Sequence, residues 1–402
     1  MTHYLCYQHN VQRFFIRHIE KFDGVVVPFS IAASFTSGTY GFLRALLAKD
    51  QTKQFALDPR SALFQQGWNR LHAREPHRKM AAIFGAPFTT IGLQRALTPQ
   101  DFSKTEIEGI TRACIQYQLD FRVLQEQQRK LEKYRKLLGI DTIPQIANPQ
   151  HFVAPYFRFS DINDAWYEIC MSCIEHAASF VPADQLCPIV HFAAWPEAGD
   201  WQTVAARLTK AGITSLFAYP NNFKEHEAAE KELERYSEGV IALAGAGITT
   251  TALHGGYFAI LLAKKGLSGF GNGVGYGEWR DSGYHRGGTA EIRLYIPKLH
   301  RFLDSASAQA LITSNPEHFT SNSDLLSEYA LANKPLTSVS LQEALDHFME
   351  SRQQEISSVR DNSLEVLIAE LRETVDVLKN IGQLETERYG RSLDRWSNVL
   401  SK

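Results

Sequence analysis

Gln54-Phe55-Ala56-Leu57-Asp58-Pro59-Arg60 is the stretch from which the rest of the chain is best read. Phe55 to Leu57 form an apolar run of strand type. Asp58 sits where that strand leaves the core, and Pro59 ends the ladder by removing a backbone donor. Seven further short apolar runs also end in polar or aromatic residues. They are Val25–Phe29, Phe152–Phe157, Pro188–Phe192, Ser215–Tyr219, Val240–Ala244, Leu267–Phe270 and Ile292–Tyr295. They lack strict alternation, as strands buried on both faces do. Helical patterns separate most of them: Ala165–Phe180, Trp201–Ala211, Lys224–Tyr236 and Thr249–Lys265. Strands alternating with helices predict a parallel sheet. Eight strands predict a (β/α)8 TIM-like barrel over residues 1–300, with a doubly wound open sheet as the competing architecture.

Residues 58–150 interrupt this rhythm as a helical insertion. It holds a loop around Phe84-Gly85-Ala86-Pro87-Phe88 and a long helix from Thr98 to Leu138. Residues 301–402 read as a C-terminal helical extension, a cap on the barrel with heptad-like Leu364, Leu367, Leu371 and Val375.

The chain has 402 residues, 44% hydrophobic and 21% charged, which is ample for a large core and excludes a disordered or fibrous protein. Its formal net charge is −2. Leu336–Lys402 carries twelve acidic and eight basic residues, leaving a mildly positive remainder. No run of about eighteen apolar residues occurs, so no membrane span is expected. The five cysteines fit reduced thiols in a cytoplasmic protein. Cys170-Met-Ser-Cys173 has metal spacing but lies in an amphipathic helix without a second ligand pair, so buried thiols are expected and no metal or other cofactor.

In a parallel barrel, chemistry gathers at the strand C-terminal ends. Those ends offer Asp58 and Arg60, Arg158, His191, Tyr219, Asn221 and His254. The segment after Leu267–Phe270 adds Tyr276, Glu278, Trp279 and Arg280. Glycines 269, 271, 273, 275 and 277 precede or interleave these last residues, either as a tight corner or as a loop enclosing a substrate. Gly245–Thr251 reads as a turn with a Thr cap or as a phosphate-binding turn. His191 fits a core histidine as well as a ligand contact. A carboxylate at an apolar rim can stabilise an oxocarbenium-like sugar while a second carboxyl group handles the proton, a task suited to Asp58 with Glu278. The arginines would hold phosphates, the aromatic rings would stack on a base or sugar, and Asn221 and His191 would read a base edge.

Leu57-Asp58-Pro59-Arg60-Ser61-Ala62-Leu63-Phe64-Gln65 resembles the strand-two signature of the tRNA-guanine transglycosylase superfamily. Gly245–Gly256 and Gly271–Glu278 are similar in character to its glycine-rich base-binding segments. The resemblance implies a barrel that exchanges or removes a nucleobase at its N-glycosidic bond, with Asp58 as the catalytic carboxylate. No cysteine follows Cys187, so that family's C-terminal zinc site is missing, and Asp58-Pro59-Arg60 replaces its Asp-Ser-Gly type of turn. The chain is more similar to transglycosylase-like DNA glycosylases that excise glucosylated cytosines from bacteriophage DNA. That likeness implies modified phage DNA as the partner, a flipped nucleotide and hydrolysis by water. A base-exchanging transglycosylase, a sugar glycosidase and a non-catalytic binding protein are the alternatives.

Overall fold

The computed structural model describes residues 1–66, 74–121, 132–136, 139, 149–275, 277–282, 292–382 and 384–402. Eight short strands form one sheet: β1 (Thr2–Cys6), β2 (Gly24–Pro28), β3 (Gln54–Asp58), β4 (Arg158–Phe159), β5 (Ile189–Phe192), β6 (Ser215–Pro220), β7 (Thr249–Leu253) and β8 (Gly269–Gly273). Every ladder is parallel. The order β3-β2-β1-β8-β7-β6-β5-β4 is a cyclic one through eight, opened between β3 and β4. Helices such as Thr36–Lys49, Ala165–Ala177, Ala198–Lys210 and Glu230–Gly245 run between consecutive strands. They cover the outer face with the larger apolar cluster.

The inner face carries a second, smaller cluster that includes Tyr4, Val26, Ala56, Ile189, Phe217 and Leu253. Two separate cores on the two faces are the signature of a curled parallel sheet filled by its own side chains. The glycines of β8 follow from this filling. Gly271 lies on the inner face, where a Cβ would meet Leu253 and the Tyr4 Cβ. Phe270 and Asn272, between the glycines, face outward; Phe270 joins the outer core and Asn272 pairs with His3. Gly273 and Gly277 touch backbone to backbone, and a Cβ on Gly277 would lie 2.3 Å from the Gly273 Cα.

The closed barrel expected from sequence is therefore an open, curled eight-stranded sheet. At the opening, β3 meets the chain ahead of β4 through a single parallel bridge, Ala56 to His151, and Phe152 bridges Leu186 ahead of β5. Residues 151–159 run extended here with few ladder partners, and side chains satisfy their backbone instead. Gln118 donates to the Val153 carbonyl (2.8 Å) and accepts from the Val153 amide (3.0 Å). The Ser61 hydroxyl does the same for Tyr156, at 2.5 and 2.8 Å. Gln65 brackets Arg158 at 2.8 and 2.6 Å. The Cys170 thiol lies 3.1 Å from the Phe157 amide. Buried peptide groups need partners whatever their source. Cys170 and Cys173 are buried thiols in the helix Ala165–Ala177, and Cys170 is one of these partners.

Three expected elements change place. Val240–Ala244 is not a strand but the last part of the helix Glu230–Gly245, because Leu233, Tyr236, Val240 and Leu243 recur at helical spacing on its buried face. The strand lies one step later: Thr249-Thr250-Thr251-Ala252-Leu253 is β7, where a β-branched run suits the pleat. Gly245–Thr251 consequently enters the sheet at the N-terminal end of β7, away from the Asp58 rim, and is not a phosphate turn of the site. β1, at the chain start, was not foreseen. The expected strand Ile292–Tyr295 is instead β9 (Arg293–Ile296), which pairs antiparallel with β10 (Arg301–Asp304) in a separate hairpin.

In the insertion, the expected helix from Thr98 breaks after Pro99–Asp101 and resumes as Lys104–Asp120. Ser103 caps the second piece, and residues 132–136 are again helical. Beyond the hairpin, Leu341–Asp361, Leu364–Ile381 and Leu384–Leu400 pack on the sheet domain. Trp396 is fully buried and donates from Nε1 to the Glu225 carbonyl (3.1 Å). Leu367, Leu371 and Val375 face the core. No described helix is long and apolar enough to cross a membrane.

Gln118→Leu keeps the volume but removes both of its hydrogen bonds to Val153, leaving the amide without a partner and the carbonyl with only the Cys114 thiol, 3.5 Å away. A buried unsatisfied group costs about 1–3 kcal/mol, and the variant is expected to lose that much in urea unfolding. An unchanged midpoint would show that the bracket carries no stability.

Candidate functional site

Asp58 ends β3 at the C-terminal rim and is buried. The chain turns sharply after it, with Arg60 in the left-handed region at φ 50°. This turn folds the Arg60 side chain back onto Asp58. Asp58 Oδ1 accepts from the Arg60 amide (3.0 Å) and from the Tyr156 hydroxyl (2.9 Å), while Oδ2 accepts from Arg60 Nε (3.2 Å). Ser61 and Gln65, from the short helix Ser61–Gln65, clamp the same turn to Tyr156 and Arg158. The residues that position the carboxylate are thus the ones that complete the sheet opening.

Around Asp58 lies a cavity of about 10 Å³, lined by Arg60, Ala62, Leu63, Tyr156, Tyr219, His254, Arg280 and Ser282. Two guanidinium groups and one carboxylate between aromatic walls suit an anionic, ring-bearing ligand. The volume equals about one water molecule. A nucleotide therefore enters only if side chains of this lining move.

The structure brings Asp58, Arg60, Tyr219, His254 and Arg280 to this one cavity. His254 directly follows β7 at φ 66°, ahead of the helix Tyr257–Leu261, so the helical pattern expected from Thr249 begins later. Its Nδ1 is 3.8 Å from Cys6 Sγ, and burial with Arg280 and Arg60 nearby holds the ring neutral, well below the usual histidine range. Burial raises the Cys6 thiol to about 11 despite the same two arginines. His191 lies behind the lining, stacked on Tyr219 with ring centroids 4.1 Å apart. Arg158 shares the rung of His191 across the β4–β5 ladder and is half-buried. Asn221 serves the loop: its Oδ1 accepts from the Ser282 amide (2.7 Å). Tyr276 lies outside the described residues.

Glu278 and Trp279 are elsewhere. They line a second cavity of about 140 Å³ with Lys224, Glu225, Arg293 and Arg301. The expected meeting of Asp58 and Glu278 in one hollow does not occur. Glu278 is instead gripped by Arg352, a fully buried residue of the helix Leu341–Asp361, which also binds Glu355 at 2.7 Å. Glu225 accepts three backbone amides, from Gly256, Phe258 and Ala259, at 2.9 to 3.2 Å. Trp279 is 40% exposed, with Lys224 Nζ 4.6 Å from its ring centre. Among the described residues no group of three or more His, Cys, Asp or Glu is arranged to hold a metal ion.

Two residues at the heart of these sites escaped the sequence reading. Tyr156 sat inside an expected strand, and its role depends on the irregular backbone ahead of β4. Arg352 lies in the C-terminal helices, and nothing local to it signals a buried partner 74 residues earlier.

Burial drives the Glu278 carboxyl up to about 8, against the pull of Arg352 and with help from Glu225 and Glu355. Burial likewise raises Glu225 to about 7, against the three amides. A carboxyl raised on folding stabilises the folded state below its unfolded value, 4.5 for Glu278, and that contribution is lost as pH climbs through about 8. Between pH 6.5 and 8 the wild type is expected to lose about 1–2 kcal/mol relative to Glu278→Gln, which shares its histidines. Urea unfolding across that range measures it, and parallel pH profiles for the two proteins would refute it.

No protein-family model matches this chain, and no curated protein matches its sequence.

Proposed function

We propose that this protein is a DNA glycosylase that hydrolyses the N-glycosidic bond of a modified base, glucosylated cytosine in bacteriophage DNA, leaving an abasic site. The reading rests on one observation: a strand-end carboxylate, Asp58, is fixed by Tyr156 and flanked by Arg60 and Arg280 beside Tyr219 and His254. The reaction breaks the bond between C1′ and the base nitrogen. The electron pair leaves with the base, which takes up a proton, and water adds to C1′ while losing one. Positive charge develops on the sugar in the transition state, and a fixed carboxylate beside it lowers the barrier.

The Arg60–Asp58 contact gives this reading its entry step. With no substrate, Arg60 neutralises Asp58. A phosphate of the incoming strand competes for both guanidinium groups, because arginine binds phosphate through paired donors. Drawing Arg60 outward enlarges the small cavity and frees the carboxylate at the same moment. The extruded nucleotide then rests against Tyr219 and Tyr156. Within this reading Glu278 belongs to the neighbouring cavity and is not the second catalytic carboxyl group. Kinship of the curled sheet with TIM-like barrels, service in antiviral defence and a cytoplasmic setting belong to the same proposal.

The small volume of the Asp58 cavity favours one other reading, a non-catalytic scaffold that binds a partner at this rim. Asp58→Asn separates the two, since the amide keeps the size of the side chain and removes its charge. Abasic-site formation on glucosylated DNA, read as alkali-labile breaks, is expected to fall by about a hundredfold or more while the circular dichroism stays native. Undiminished product from Asp58→Asn would end the catalytic assignment. Incorporation of a labelled free base, in place of simple release, would turn hydrolysis into base exchange.

A further inference from the structure

His191 is fully buried, and its Nε2 has no hydrogen-bond partner among the described residues. The other ring nitrogen is accounted for: Nδ1 is 2.9 Å from the Tyr219 carbonyl. A carbonyl only accepts, so Nδ1 carries the proton and Nε2 presents a bare lone pair. The ring stays neutral, because burial lowers it to about 3, so Nε2 remains an acceptor throughout the neutral range.

The direction of this group follows from the sheet. His191 is in register with Tyr219 of β6, and residues in register across a parallel ladder share a face. Tyr219 lines the Asp58 cavity and belongs to the inner core. His191 therefore points inward as well. Its ring stacks on Tyr219 at 4.1 Å and meets Tyr156 edge-on at 5.9 Å, so it backs the two aromatic walls of the cavity and meets a ligand once that lining moves. A buried acceptor left without a donor is a standing cost, which a ligand with a donor in the right place removes.

We propose that His191 is a specificity residue whose Nε2 accepts a hydrogen bond from the exocyclic amine of a cytosine-type base. This rests on the nucleobase reading of the Asp58 site and narrows it, from any flipped base to one that offers an amine at its pairing edge. Bases without that donor leave Nε2 unpaired and are disfavoured.

Calorimetric titration of the full chain with two nucleotides tests the assignment. The probes are 2′-deoxycytidine 5′-monophosphate and the 5′-monophosphate of the pyrimidin-2-one 2′-deoxyriboside, which lacks only the 4-amino group; both carry the phosphate that draws Arg60 outward. The wild type is expected to bind the amino compound about ten- to a hundredfold more tightly. His191→Phe, which keeps a ring on Tyr219 but has no acceptor, is expected to erase the difference, with its thermal unfolding recorded alongside. Equal affinities in the wild type, no measurable binding of either nucleotide, or a preference that survives in His191→Phe would each overturn it. Excision is assayed separately on glucosylated DNA. Amine-selective binding without excision would overturn the glycosylase reading and leave the role of His191 intact. Excision without amine selectivity would do the reverse.

Discussion

Residues 151–159 run beside β3 and β5 without a continuous ladder on either side, and a buried chain in that state must find partners for its peptide groups. Ser61, Gln65, Gln118 and Cys170 supply them. Two of the four, Ser61 and Gln65, belong to the turn that follows Asp58. Satisfying the backbone at the open edge therefore also fixes the direction of the carboxylate, and Tyr156 adds its hydroxyl to that carboxylate from the same segment. One set of hydrogen bonds holds the sheet edges together and builds the floor of the candidate site. A substitution there would disturb both.

The second organising contact is Arg352. A guanidinium with no solvent exposure needs charge partners, because an unpaired buried ion costs several kcal/mol. Glu278 and Glu355 provide them. Glu278 lies two residues before Arg280, whose carbonyl accepts from the Asn222 amide (2.8 Å) and whose side chain lines the Asp58 cavity. The C-terminal helices thus hold the loop after β8 from behind. The acidic balance of those helices is partly spent internally, with Glu355 also accepting from Tyr295 and His300 at 2.6 Å each.

The two cavities divide the residues that looked like one site in sequence. Asp58, Arg60, Tyr219, His254 and Arg280 converge because each lies at or just beyond the C-terminal end of a strand. Glu278 and Trp279 follow the Gly273–Gly277 contact and turn to the other cavity, Glu278 toward Arg352 of the C-terminal helices and Trp279 toward Lys224. The glycines are close together for two packing reasons, an inner face crowded by Tyr4 and Leu253 and a turn in which two backbones touch.

The strand-end position of Asp58 was legible from the chain alone. An apolar run closed by Asp58-Pro59 can only emerge at a rim, and alternation of such runs with helices dictates a parallel sheet. The number eight was also reached from sequence, although by a different set of runs. Val240–Ala244 was taken as strand because a short apolar run has no period of its own, while β1 lacked flanking signals at the chain start. What the tertiary structure alone decided was partnership. Whether Asp58 meets Glu278 or Arg60, whether Glu278 meets Asp58 or Arg352, and whether His191 Nε2 finds a donor all depend on groups brought together from distant parts of the chain. Local periodicity reports which face of an element is buried; it carries no information about what waits on the other side.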